Sequence, residues 1–184
     1  IMDLMNKYPR LSDLKKPASG RIPKFVFAYL DSGTGHDRAK DENRAFLDSI
    51  ELTPQFMRGR VDPDLTTKLG KSTFKAPFGA APIGLSSLIW PGAESIIGRT
   101  AKKHGFPYTL STVAGESIEM IAKSAGEMGW FQLYAPRDRD LMRDLLRRAK
   151  GCGYTTLVVT ADVPSPSRRE RCLLYTSPSP RDSH

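Results

Sequence analysis

Between Phe78 and Thr160 four short apolar runs alternate with stretches of helical periodicity, and this alternation restricts the fold more than any other feature of the chain. The runs Phe78–Pro82, Tyr108–Thr112, Trp130–Tyr134 and Thr155–Thr160 are rich in Val, Leu, Phe, Thr and Tyr and read as strands. The clearest helix between them is expected to begin at Asp138 or Asp140 and to bury Leu141, Met142, Leu145, Leu146 and Ala149. It should end at Gly151 or Gly153, giving one apolar stripe with an acidic start and a glycine stop. A second helix follows Glu116–Ser117 with Ile118, Ile121, Ala122 and Ala125, and a third covers Ala93 to His104 before Gly105. Strand–helix–strand units at this spacing imply parallel pairing with right-handed crossovers. Four of them fit an open doubly wound sheet or half of a (β/α)8 barrel.

The strand ends favour the barrel. Ser111 and Thr112, Gln132 and Tyr134, and Thr160 and Asp162 put polar side chains at the carboxyl ends of three successive strands. In barrels that end carries the active site. One such pair could simply cap a strand; three in register are hard to dismiss. The expected fold is therefore α/β: the first half of a (β/α)8 TIM barrel over residues 73–171, preceded by a helical amino-terminal extension over 1–72. Within the extension, Pro23–Leu30 and Asn43–Ile50 read as helices, the first with Pro at its opening position.

Composition narrows the function classes. Of the 184 residues 39% are apolar and 26% charged, which suits a globular domain. No apolar run approaches the ~20 residues of a membrane helix, and Ile1 to Arg10 lack the pattern of a secretory signal. The chain opens on Ile1, not Met, so its true start is expected upstream. A net charge of +8 gathers partly in Arg147–Arg148–Lys150 and Arg168–Arg169–Arg171. The first cluster reads as a solvated helix face, and neither carries a nucleic-acid signature with interleaved aromatics. Cys152 and Cys172 are too few for a disulfide framework or a zinc site, so a reducing, cytoplasmic setting is expected. The last stretch stands apart. Cys172 to Asp182 reads Cys-Leu-Leu-Tyr-Thr-Ser-Pro-Ser-Pro-Arg-Asp, which matches one frame of a transposase-based sequencing adapter. Residues 172–184 are therefore expected to be a non-native, unstructured tail, with the natural sequence ending near Arg171.

Individual motifs carry less. Ser32-Gly33-Thr34-Gly35 follows no strand and reads as a turn. His36 and His104 lack partners at metal-ligand spacing, and His104 suits a helix carboxyl end. Ala80-Ala81-Pro82-Ile83-Gly84 closes the first strand with small residues: either a tight turn or a surface on which a planar ring can lie against backbone. Arg168-Arg169-Glu170-Arg171 is either a solvated basic loop or a fork of donors shaped for a carboxylate.

Taken together these residues resemble a family. Ile22-Pro23-Lys24-Phe25-x-x-x-Tyr29-x-x-Ser32-Gly33, Asp41-Glu42-Asn43-Arg44-x-Phe46, Ala81-Pro82-Ile83-Gly84, Thr109-Leu110-Ser111-Thr112, Phe131-Gln132-Leu133-Tyr134, and Thr160-x-Asp162-x-Pro164 with Arg168-Arg169-Glu170-Arg171 occur in its order and spacing. It is the FMN-dependent α-hydroxy-acid dehydrogenase and oxidase family, which includes glycolate oxidase, L-lactate dehydrogenase and mandelate dehydrogenase. The resemblance runs from about Leu11 to Arg171.

The resemblance implies roles. Tyr29, Tyr134 and Arg169 match groups that bind the substrate carboxylate, with Tyr134 also near the hydroxyl oxygen. Pro82, Ile83 and Gly84 match backbone lying against the flavin, and Ser111, Gln132 and Thr160 match groups that bond the isoalloxazine ring. Asp162 matches the acid that orients the catalytic histidine. That histidine, the lysine near flavin N1 and the phosphate-binding loops have no counterpart here. Val113 stands where some members are aromatic, leaving room for a substrate side chain, and Gly84 replaces an alanine common in the family. Implied with these are oxidation of a 2-hydroxy acid to a 2-oxo acid with FMN as hydride acceptor, and oxygen, a quinone or a cytochrome as final acceptor. A homo-oligomeric parent, peripheral to the inner face of the membrane, belongs to the same expectation, as does an inactive fragment. The competing readings are another FMN- or phosphate-binding barrel, such as a type 2 isopentenyl-diphosphate isomerase, and a basic nucleic-acid-binding domain.

Overall fold

A computed structural model describes residues 6–60 and 62–161. The chain divides into two compact units between Met57 and Arg58. The expected boundary at 72/73 instead falls inside a hairpin that belongs to the second unit.

The first unit is helical. A 3-10 turn, Leu11–Leu14, leads into α1 (Lys15–Arg21), followed by α2 (Lys24–Asp31) and α3 (Arg38–Asp48). Pro23 is the residue flanking α2, not its first helical position, and α3 begins at Arg38, ahead of the expected Asn43. The pairs Arg38–Glu42 and Arg44–Asp48, each four apart, carry the helical pattern through a stretch too polar for apolar periodicity to mark.

The second unit opens with an antiparallel hairpin, β1 (Thr67–Leu69) and β2 (Ser72–Phe74), turned at Gly70, whose φ is 60°. Then come α4 (Ser86–Ile89), α5 (Ala93–His104), β3 (Tyr108–Leu110), α6 (Ile118–Ala125), β4 (Gly129–Leu133), α7 (Arg139–Gly151) and β5 (Thr156–Val159). Strands β3, β4 and β5 pair in parallel and in chain order, the arrangement of a partial barrel. The expected first strand, Phe78–Pro82, is reduced to one parallel bridge, Ala80 to Tyr108. There Ala80 N donates to Pro107 O at 2.8 Å and Thr109 N donates to Ala80 O at 3.0 Å. Pro77 and Pro82, which lack N–H groups, bracket this bridge and keep the ladder short.

Alternation of side chains decides what each face does. Tyr108, Leu110, Phe131 and Leu133 point to the helix layer and form one core with Ala101, Ile118, Ile121, Ala125 and Ala149. Tyr154 seals its edge, with its ring 6.0 Å from Phe131 and its hydroxyl donating to Ile118 O at 2.9 Å. The helices stop and start where the residues demand. Gly105, at φ 71°, ends α5 and donates to Ala101 O, while the Ser117 and Asp138 side chains cap α6 and α7. Leu141, expected in the core, is 49% exposed, because it lies at the rim of the α7 stripe. The basic run of α7 is more than solvated. Arg148 makes a two-pronged contact to Glu119 of α6 at 2.7 and 2.9 Å.

Candidate functional site

The other face of the sheet carries Thr109 and Ser111, Trp130 and Gln132, and Thr156, Val158 and Thr160, by the same alternation and register. At its carboxyl end the polar members meet on Gln132, which is fully buried. Ser111 Oγ and the Thr112 amide both donate to Gln132 Oε1 at 3.2 Å, and Gln132 Nε2 donates to Thr160 Oγ1 at 2.8 Å. Ser111, Gln132 and Thr160 are thus brought together across three successive strand ends. Among the described residues nothing accepts the second amide hydrogen of Gln132 or the hydroxyl hydrogen of Thr160.

Thr112 extends the join beyond the ladder. Its hydroxyl donates to Gln132 O and accepts from the Tyr134 amide at 3.0 Å. This fixes the backbone from which Tyr134, 42% exposed, projects. Thr160 N donates to Leu133 O at 3.1 Å, so β5 reaches the same level.

Beside this row runs the stretch Ala80–Gly84. Pro82 and Ile83 are exposed and Gly84 is half-buried. Leu85 N donates to Val113 O at 3.0 Å, and a Cβ placed on Gly84 would sit 2.9 Å from Val113 Cγ2. A methyl at position 84 would have to push the Val113 side chain aside. Tyr29 lies half-buried on α2, in the other unit. Asp162 and Arg169 fall outside the described residues, as does the 172–184 tail.

Sequence reasoning missed two hydrogen-bonded carboxylates behind these loops, Glu94 buried and Glu116 half-buried. Glu94, 0% exposed, accepts at Oε1 from the amides of Ser87 (3.1 Å) and Gly115 (3.0 Å), and at Oε2 from Ser87 Oγ. Burial alone would raise its pKa, but hydrogen bonds from Ser87 and Gly115 outweigh that and hold it below the usual carboxylate range. Glu116 in turn accepts from Ser95 N at 2.7 Å and Ser95 Oγ at 2.9 Å. Glu94 resembles an ordinary first-turn glutamate and Glu116 an ordinary residue ahead of a helix; no local signal announces partners 21 residues away.

At the opposite end of the strands an apolar cavity of about 320 Å³ lies among Phe74, Phe78, Pro107, Thr109 and Trp130. It has no titratable lining and offers no chemistry of its own. Among the described residues no cluster of His, Cys, Asp or Glu could hold a metal ion, and no helix is long and apolar enough to cross a membrane.

A polar row across the carboxyl ends of consecutive parallel strands, with helices behind them, is the place where α/β barrels carry their sites. A model of the FMN-dependent dehydrogenase family matches residues 18–182, and the chain belongs to that family. The match runs past Arg171, into the segment set apart above. L-lactate dehydrogenase of Xanthomonas campestris pv. campestris (strain B100) is 39% identical over 160 residues, 87% of this chain and 42% of the relative. The L-lactate dehydrogenase of Stenotrophomonas maltophilia (strain K279a) is 38% identical with the same coverage. A crystal structure of mandelate oxidase superposes with a TM-score of 0.85 at 32% identity, covering 94% of this chain and 52% of its own. The chain thus spans about half, or less, of the length of these relatives.

Membership implies FMN, and the residues present fit it. The Gln132 and Thr160 donors that no described residue takes up suit the hydrogen-bonding edge of a flavin ring.

Proposed function

We propose that these residues form the flavin-facing half of an enzyme that oxidises an L-2-hydroxy acid, lactate- or glycolate-like, to the 2-oxo acid. The observation that carries this reading is the buried Gln132 joined to Ser111 and Thr160 at three strand ends. FMN, when bound, supplies the two-electron acceptor. Ser111, Gln132 and Thr160 orient the ring by hydrogen bonds, and the backbone of Pro82, Ile83 and Gly84 supports its face. Tyr29, Tyr134 and Arg169 hold the substrate carboxylate, and Asp162 orients the histidine base of the complete enzyme.

The lactate dehydrogenases among the relatives support a short substrate side chain, although the small Val113 leaves room for a longer one. The mandelate oxidase likeness supports a second reading, an aromatic 2-hydroxy acid. The 184-residue polypeptide by itself is expected not to turn over, because His104 ends α5 ahead of β3, away from the carboxyl strand ends where a base must act, and His36 belongs to the other unit.

The test is to produce the chain alone and together with the carboxyl-terminal half of a family enzyme. FMN fluorescence quenching is followed, then anaerobic bleaching by L-lactate, glycolate and mandelate. We expect bleaching only in the complemented sample, strongest with L-lactate or glycolate. A complemented sample that holds no FMN overturns the function, and bleaching by the chain alone overturns its inactivity.

A further inference from the structure

Among the described residues Glu94 is the charged side chain shut away from solvent, and it has no cationic partner there. A buried charge held only by neutral donors is costly to build. What it holds is therefore informative. Ser87 lies in α4, immediately after Pro82–Gly84, and Gly115 lies in the loop after β3, two residues past Val113. One carboxylate thus ties together the two loops that meet at Gly84 and Val113. The loops also touch directly: a Cβ on Gly115 would lie 2.7 Å from Ser87 Cβ. Capping of α5 does not explain the arrangement, since Glu116 already accepts from the Ser95 amide in that first turn.

We propose that Glu94 is a positioning residue: it holds the Pro82–Gly84 loop against the Val113 loop and so sets the width of the slot shared by flavin and substrate side chain. This rests on the flavin reading above. A glutamine at position 94 can still accept both amides at Oε1 and donate to Ser87 Oγ, whereas alanine releases both loops.

The experiment has two arms. In the 184-residue chain, hydrogen exchange is read at the Ser87 and Gly115 amides, with Ile121 of α6 as the internal fold control. Glu94→Ala should speed exchange at Ser87 and Gly115 by about tenfold or more, and Glu94→Gln should stay near the parent rate. In the FMN-loaded complemented enzyme, Glu94→Ala should raise KM for the hydroxy acid about tenfold with little change in kcat, and shift the flavin absorption band. Glu94→Gln should restore both. Should Glu94→Ala fail to fold, Gly115→Ala opens the same loop pair from the other side and should reproduce the KM rise. Parent-like exchange in Glu94→Ala overturns the proposal. So does lost protection with unchanged KM and spectrum, which would leave Glu94 a purely structural group. If the parent enzyme holds no FMN, it is the flavin reading that fails, and the exchange arm still decides whether the staple exists.

Discussion

Gln132 shows how much one buried amide can organise. Its carbonyl serves Ser111 and Thr112 and its NH2 serves Thr160, so three strand ends depend on a single side chain. Gln132→Leu keeps the volume but strands the Thr112 amide and two hydroxyls. We expect a loss of about 1–3 kcal/mol in urea unfolding. An unchanged midpoint would mean the network is dispensable for the fold. These three residues were legible in the sequence because polar side chains recur at the carboxyl ends of three successive apolar runs. Glu94 was not legible. Its partners come from a separate loop, and burial of a glutamate leaves no periodic trace.

Between elements, the strongest tie described is Arg148 of α7 to Glu119 of α6. The hydrogen-bonded guanidinium lowers the Glu119 pKa from its ordinary 4.5 to about 2. A carboxylate with a depressed folded pKa contributes stability fully above its unfolded value and loses it as pH falls through the folded one. The contribution should therefore be present above about pH 4.5 and fade toward pH 2. Glu119→Gln should lower the melting temperature most at neutral pH and least near pH 2, and so flatten the acid side of the profile in that window. Equal slopes in both proteins would assign acid lability elsewhere. Helices α5, α6 and α7 were readable because each is punctuated by a capping side chain or a glycine. The β1–β2 hairpin was not, since three-residue strands are too short to display a period. Phe78–Pro82 misled because its apolar content suits a strand while its flanking prolines forbid more than a bridge.

Across the second unit, the sheet has an uneven cover. On β5, Leu157 and Val159 stand opposite Phe131 and Leu133 in register, on the helix side, yet are 47% and 58% exposed. No described helix lies over them, and an apolar strand edge of this kind invites association. We expect the 184-residue chain to self-associate with rising concentration in light scattering, and Leu157→Lys to reduce this without lowering α-helical signal. Monodisperse behaviour of the unsubstituted chain would refute it. The same strand order has a consequence for biosynthesis. Because β3, β4 and β5 pair in the order they are translated, each new strand docks beside its predecessor while the rest is still being made. A ribosome adds roughly 5–20 residues per second, so a strand–helix unit emerges over a few seconds. During that interval the apolar side chains of Leu157 and Val159 stand uncovered at the growing edge of the sheet.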